Sequence, residues 1–209
     1  MNRRTALKDT LLLGGVLAFS SKDVFAKTTK LEKRKKIIRK IAELGNKGLR
    51  IKTNNVKITD IEKNKNLRYL VDDMMVTLED SGGVGLASTQ VFEDIPVFLF
   101  VNDMGKFNVE VAVNPKIIRH SSEKKKGYEG CLSIPGIRAL VPRYIWIDVE
   151  YTDLNNKTIK IRYKDFIARI FQHELDHLNG LVYLDRLESN RDIITEAEYE
   201  KLPESKKKR

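Results

Sequence analysis

Two of the chain's three histidines fall four residues apart in the run Gln172-His173-Glu174-Leu175-Asp176-His177, a spacing that gains meaning on a helix. With 3.6 residues per turn, side chains at i and i+4 stand one above the other, so two imidazoles converge on one ion. The glutamate beside the first of them then reaches a water held there. A surface helix carrying two unrelated histidines is the plainer reading. With so few histidines among 209 residues, the coincidence is small and a metal site with its own base is the stronger one.

A catalytic metal needs a third protein ligand and an open position. The single cysteine, Cys131, lies in Glu129-Gly130-Cys131-Leu132-Ser133, after a glycine that permits a tight turn. A lone cysteine is often a small buried hydrophobe, but this one stands upstream of a helix carrying two imidazoles. One cysteine also excludes an intramolecular disulfide and leaves the redox compartment open. A third cluster, Gly82-Gly83-Val84-Gly85-Leu86-Ala87-Ser88-Thr89-Gln90, lacks the ending of a phosphate-binding loop and follows a helical pattern. Alone it reads as a tight turn.

In this order the three clusters resemble the peptide deformylase family, whose motifs are G-x-G-L-A-x-x-Q, E-G-C-L-S and Q-H-E-x-D-H. The resemblance runs from about residue 44 to 187 and includes Pro135-Gly136, Val141-Pro142-Arg143, Leu178-Asn179-Gly180 and Asp185-Arg186-Leu187. It implies an enzyme that removes the formyl group from N-terminal formyl-methionine of newly made polypeptides, releasing formate. It further implies Cys131, His173 and His177 as metal ligands and Glu174 as general acid/base. Gln90 and the Leu132 N–H would hold the oxyanion.

A Cys/His/His donor set accepts zinc, iron, nickel or cobalt, and the resemblance implies Fe(II) as the native ion. A bound divalent ion would make a water nucleophilic near neutral pH. Glu129 paired with Arg143, and Asp176 on the helix, are expected to support the ligands. For the methionine side chain, Phe166 and Ile170 on the helix before His173 are candidate pocket residues, with Val84, Gly85 and Leu132 on the two loops. The same period would serve any buried helix face. The family pairs a peptide strand with its backbone beside the glycine loop, which implies tolerance beyond the first residue.

The sequence departs from the family pattern in three places. Gly45-Asn46-Lys47-Gly48 stands where a proline usually precedes Leu-Arg, and Lys124-Lys125-Lys126 replaces an apolar approach to the cysteine motif. The third departure is residues 1–26, where Arg3-Arg4, an uncharged run from Thr10 to Ser21 and Val24-Phe25-Ala26 resemble a twin-arginine export leader. A working leader places the protein in the periplasm, and otherwise it is cytoplasmic. An uncleaved anchor or a simple extension is the alternative.

Residues 27–209 then form one catalytic domain, since 41% hydrophobic content buries one ordinary core. The net charge of +10 is concentrated at the ends. Between residues 27 and 40 basic side chains flank Leu31, Ile37, Ile38 and Ile41 at helical spacing, and the chain closes on Lys206-Lys207-Lys208-Arg209. Such a basic helix and tail suit an anionic surface, the ribosome or acidic lipid, or form a solvated face. No aromatic interleaving points to base reading, so specific DNA recognition is not expected, nor is a membrane span in the mature chain. A monomer is expected.

Leu67, Leu70, Val71, Met74, Met75 and Leu78 predict a helix over 67–78. Strands are predicted over 96–101, 109–114 and 144–151, the last joined by an Asn155-Asn156 turn to 158–163. Asp165 should cap the metal helix and Gly180 end it. The expected fold is α+β, antiparallel sheets packed around the metal-binding helix. Two other functions stay open: a peptidase using the same His-Glu-x-x-His chemistry, which needs neither the cysteine nor the glutamine loop, and a non-catalytic deformylase-like protein binding formyl peptides or metal. Against the second, Glu174, Gln90 and all three ligands are present.

Overall fold

The computed structural model describes residues 34–54 and 61–207, so the expected leader lies outside the described residues. Everything below belongs to the compact unit that begins at Lys35. Helix α1 (Lys65–Ser81) starts where the Asn64 side chain accepts the Leu67 N–H at 3.0 Å, and ends at Gly82 in the left-handed region. The predicted 67–78 falls inside it. Its Leu67, Leu70, Val71, Met74 and Leu78 recur every three or four residues and are buried against Leu86, Val91, Val97, Leu99 and Val113.

The fold is mixed α and β with antiparallel sheets, as expected. One sheet has the order β1 (Gly85–Ala87), β2 (Val97–Asp103), β3 (Asn108–His120), β6 (Trp146–Thr152) and β7 (Thr158–Lys164). The other has the order β4 (Lys124–Cys131), β5 (Ile134–Tyr144) and β8 (Ile193–Thr195). All pairings are antiparallel. Strand β2 is buried on both faces from Val97 to Val101. Its Phe98 and Phe100 meet Phe171 of helix α2 (Asp165–Leu178) edge-to-face at 4.9 and 5.3 Å, contacts worth about 0.5–1.5 kcal/mol each beyond area burial.

Four expectations are corrected. The basic stretch forms no helix over 34–43. Its N–H groups serve α1 instead: Ile37 donates to Asp73 Oδ1 at 2.9 Å and Arg39 to Thr77 Oγ1 at 2.9 Å. The strand predicted from 144 begins at Trp146, because Tyr144 ends β5. Strands β1, β4, β5 and β8 were not predicted, and the glycine cluster read as a tight turn carries β1. Asp165 is not the cap of α2 but its first residue, at φ 50, with its N–H donated to Ile145 O at 2.8 Å; Lys164 takes the cap position without a side-chain bond. The turn does form, with Asn156 at φ 63, and Gly180 at φ 72 follows the end of α2. Among the described residues no helix is long and apolar enough to cross a membrane.

Candidate metal centre

Strands β4 and β5 are joined through the turn residues Leu132 and Ser133, with Cys131 paired to Ile134, and this presents Cys131 to α2. On α2, His173 and His177 have ring centroids 5.1 Å apart, one helical turn. The sulfur and one nitrogen from each ring lie within 4.8 Å of one another, with Cys131 Sγ and His177 Nε2 3.3 Å apart. Metal bonds of about 2.0–2.3 Å span donors so spaced. His177 is buried, and burial together with the charges of His173 and Arg143 pushes its pKa well below the ordinary value. That favours the neutral imidazole that binds a metal ion.

The outer ring nitrogen of His173 is tied down: Nδ1 lies 2.9 Å from Glu129 Oε2. That hydrogen bond sets ring orientation and leaves Nε2 to the cluster. Glu129 is gripped in turn by Arg143, at 2.9 and 3.0 Å, and by Arg169 at 2.8 Å. Arg143 also reaches Asp176 at 2.5 Å, and Asp176 accepts from Arg186 at 2.5 Å. Burial opposes the Glu129 charge, yet Arg143 and His173 outweigh it and hold the carboxyl well below the usual range. His173 is also disfavoured as a cation by burial, but Cys131 and Glu129 raise its pKa well above the ordinary value, so an ion bound there would take the place of a ring proton. The Glu129–Arg143 pair was foreseen; Arg169 and Arg186 were missed, since nothing local in sequence links them to residues 129 and 176.

Glu174 is buried, and burial first, with the nearby Glu129 charge, pushes its pKa up to about 7 against the pull of His173. Its Oε2 has no hydrogen-bond partner among the described residues. The carboxylate lies so close to Gly85 that a Cβ there would stand 2.2 Å from Oε1. Gln90 is buried with its carboxamide fixed at both ends: Oε1 accepts the Ala87 N–H at 2.8 Å, and Nε2 donates to Ser133 Oγ at 3.1 Å, 3.6 Å from Cys131 Sγ. Ser133 was not singled out, though its N–H also points to Cys131 Sγ at 3.4 Å.

Leu132 is half-buried, and a Cβ on Gly83 would be 3.0 Å from its Cδ1, so the glycine loop and the cysteine turn face each other closely. Val84 is half-buried, and its carbonyl accepts the Val101 N–H at 2.8 Å. The structure separates the two helix residues expected in an apolar pocket. Ile170 is buried in the core with the aromatic cluster, whereas Phe166, in the first turn of α2, is 47% exposed. Of the lysines expected to alter the approach to the site, Lys126 pairs with Asp192 at 2.8 Å and Glu188 at 3.0 Å, and Lys124 lies 4.9 Å over the Tyr144 ring.

The family model of polypeptide deformylase matches residues 38–192. The chain belongs to the peptide deformylase family. Peptide deformylase 2 of Nostoc sp. is 44% identical over 170 residues, covering 78% of this chain and 93% of that one. The actinonin-bound class I type b peptide deformylase of Acinetobacter baumannii superposes with a TM-score of 0.67 at 34% identity, over 73% of this chain and 99% of that one. A Met-Ala-Ser-bound form of the same enzyme gives 0.68 at 32% identity, over 73% and 100%. The deformylase of Thermotoga maritima gives 0.67 at 31% identity, over 74% and 100%. The family match ends just before β8.

Proposed function

We infer that the chain is a metal-dependent hydrolase that removes the formyl group from the N-terminal formyl-methionine of newly made polypeptides and releases formate. The observation that carries this is the convergence of Cys131, His173 and His177 on one point, with the buried Glu174 next to His173 on the same helix, in a chain of the deformylase family. Cys131, His173 and His177 hold the ion, with Fe(II) the native metal and zinc, nickel or cobalt as substitutes. A divalent ion held there supplies Lewis acidity, which makes a water nucleophilic near neutral pH and polarises the formyl carbonyl.

The protein's own groups do the rest. Glu174, poised near neutrality with one oxygen unpartnered, takes the proton of the attacking water and passes it to the departing amine, which leaves protonated. Gln90 Nε2, aimed past Cys131 by the bonds at Ala87 and Ser133, and the Leu132 N–H donate to the oxyanion as it forms. Each such donor is worth about 3 kcal/mol of transition-state stabilisation. The metal-binding helix at the centre of the sheets fixes the histidines and Glu174 together.

Strand β1 is the edge of its sheet, so an extended peptide can add to it beside Val84 and Gly85, with the methionine side chain received between Val84, Leu132 and the face of α2 bearing Ile170. Phe166, exposed, is assigned to the outer rim. Residues 27–209 as the catalytic domain and a monomeric state complete the proposal; a working leader over residues 1–26 takes the protein to the periplasm, and without export the basic termini suit docking to the ribosome.

The test is formate release from a formyl-Met tripeptide by anaerobically prepared, iron-loaded protein. Release that is lost in Glu174→Ala with metal retained supports the mechanism. No release from metal-loaded, folded wild-type protein overturns it in favour of a binding role.

A further inference from the structure

The segment beyond the family match is built onto the strand pair that carries Cys131. Strand β8 pairs with Ile137, Arg138 and Ala139 of β5 and runs into the short helix α3 (Glu196–Glu200). There Glu196 receives a fork from Arg138, Nε to Oε2 at 2.8 Å and Nη2 to Oε1 at 2.9 Å. The Tyr199 ring lies 4.5 Å from the guanidinium carbon and meets Tyr128 of β4 edge-on at 5.2 Å. This clamp leaves Arg138 Nη1 without a hydrogen bond among the described residues. That nitrogen lies against Gly130, where a Cβ would stand 3.3 Å from it. Gly130 precedes Cys131 and both are half-exposed, so the guanidinium edge sits at the rim of the metal centre.

We propose that Glu196 is a specificity-determining residue: by pairing with Arg138 it cancels the positive charge at the rim and sets which charges the enzyme accepts in the peptide beyond formyl-methionine. The inference rests on the deformylase reading above. A bare guanidinium at that rim draws carboxylates and repels lysine. With the pair intact, the rim presents the N–H edge of a neutral ion pair, which suits a backbone carbonyl and therefore any peptide. The two side chains are 32% and 40% exposed, so the charge effect is modest and sensitive to salt.

The experiment measures KM and kcat for formate release from formyl-Met tripeptide amides ending in Asp, Ala or Lys, using the metal-loaded full chain. Wild type, Glu196→Gln, Arg138→Gln and the double variant are compared at low salt. Glu196→Gln is expected to raise the KM ratio of the Lys peptide to the Asp peptide by roughly three- to fivefold. The shift should vanish at about 0.5 M salt and in the double variant. A structural defect would instead change all three peptides alike. The proposal is overturned by an unmoved ratio in Glu196→Gln that keeps its metal and melting temperature, or by the same shift persisting in the double variant. Absence of turnover by wild type on every peptide would overturn the deformylase reading and this inference with it, whereas normal turnover with an unmoved ratio removes only the latter.

Discussion

Replacing Gly85 with alanine asks whether the placement of Glu174 is what the reaction depends on. The new methyl carbon would stand 2.2 Å from Glu174 Oε1, 2.6 Å from Cδ and 2.8 Å from Cγ, whereas ordinary contacts begin at 3.4 Å. The carboxylate must therefore retreat by about 1 Å or rotate away, and a misplacement of that size costs about 100-fold. Loss of positioned proton transfer altogether costs about 10²–10⁴-fold, so kcat should fall by at least about two orders of magnitude. Gly85 is not in the left-handed region, so the backbone itself accepts alanine and the variant should fold, at an overpacking cost of about 1–3 kcal/mol. Cys131, His173 and His177 are untouched, so metal content should stay stoichiometric. Formate release, metal analysis and thermal melting together make the assay. A folded, metal-loaded Gly85→Ala protein with kcat within threefold of wild type would refute the assignment of Glu174 as the proton carrier at this position.

Other outcomes follow from the same geometry. Arg143→Leu strands the buried carboxylates of Glu129 and Asp176 and should cost about 3–5 kcal/mol in chemical denaturation, far more than an exposed ion pair such as Lys201–Glu198. Burial opposes the charge of Asp185, but hydrogen bonds from Arg50 and the Val182 N–H lower its pKa below the ordinary value. Its contribution is then fully present above the unfolded carboxyl pKa and lost as pH falls through the lower folded value, so Arg50→Gln should flatten the decline of melting temperature in that acid window. A chain starting at Asn46 lacks the donors of Ala42, bonded to Gln90 O at 2.8 Å, and Leu44, bonded to Ser133 O at 2.8 Å. Each such bond is worth about 1 kcal/mol, and since both end on loops that frame the site, formate release should drop along with the melting temperature.

What could be read from the sequence divides along the range of the interactions involved. His173, Glu174 and His177 share a face because 3.6-residue periodicity is a local rule, and α1 was visible for the same reason. Cys131 was connected to them by the need for a third ligand and by the family resemblance, not by any local rule, because the strands that carry it are hidden by composition. Three lysines open β4, and Pro135, Gly136 and Pro142 interrupt β5. Those prolines are tolerated because β8 meets β5 only at residues 137–139, so Pro135 and Pro142 lie outside the stretch where β5 has neighbours on both sides. The basic N-terminal stretch fails in the opposite direction. Ile37, Ile38 and Ile41 have helical spacing, but Asp73 and Thr77, more than thirty residues away, offer acceptors to the Ile37 and Arg39 N–H groups and draw the chain out along α1. Periodicity reports what a segment would do if its own carbonyls were the best acceptors within reach, and here they are not. The strap then carries Ala42 and Leu44 onto the glutamine and cysteine loops, so the feature least readable from sequence is also one that ties the N-terminal region to the metal centre.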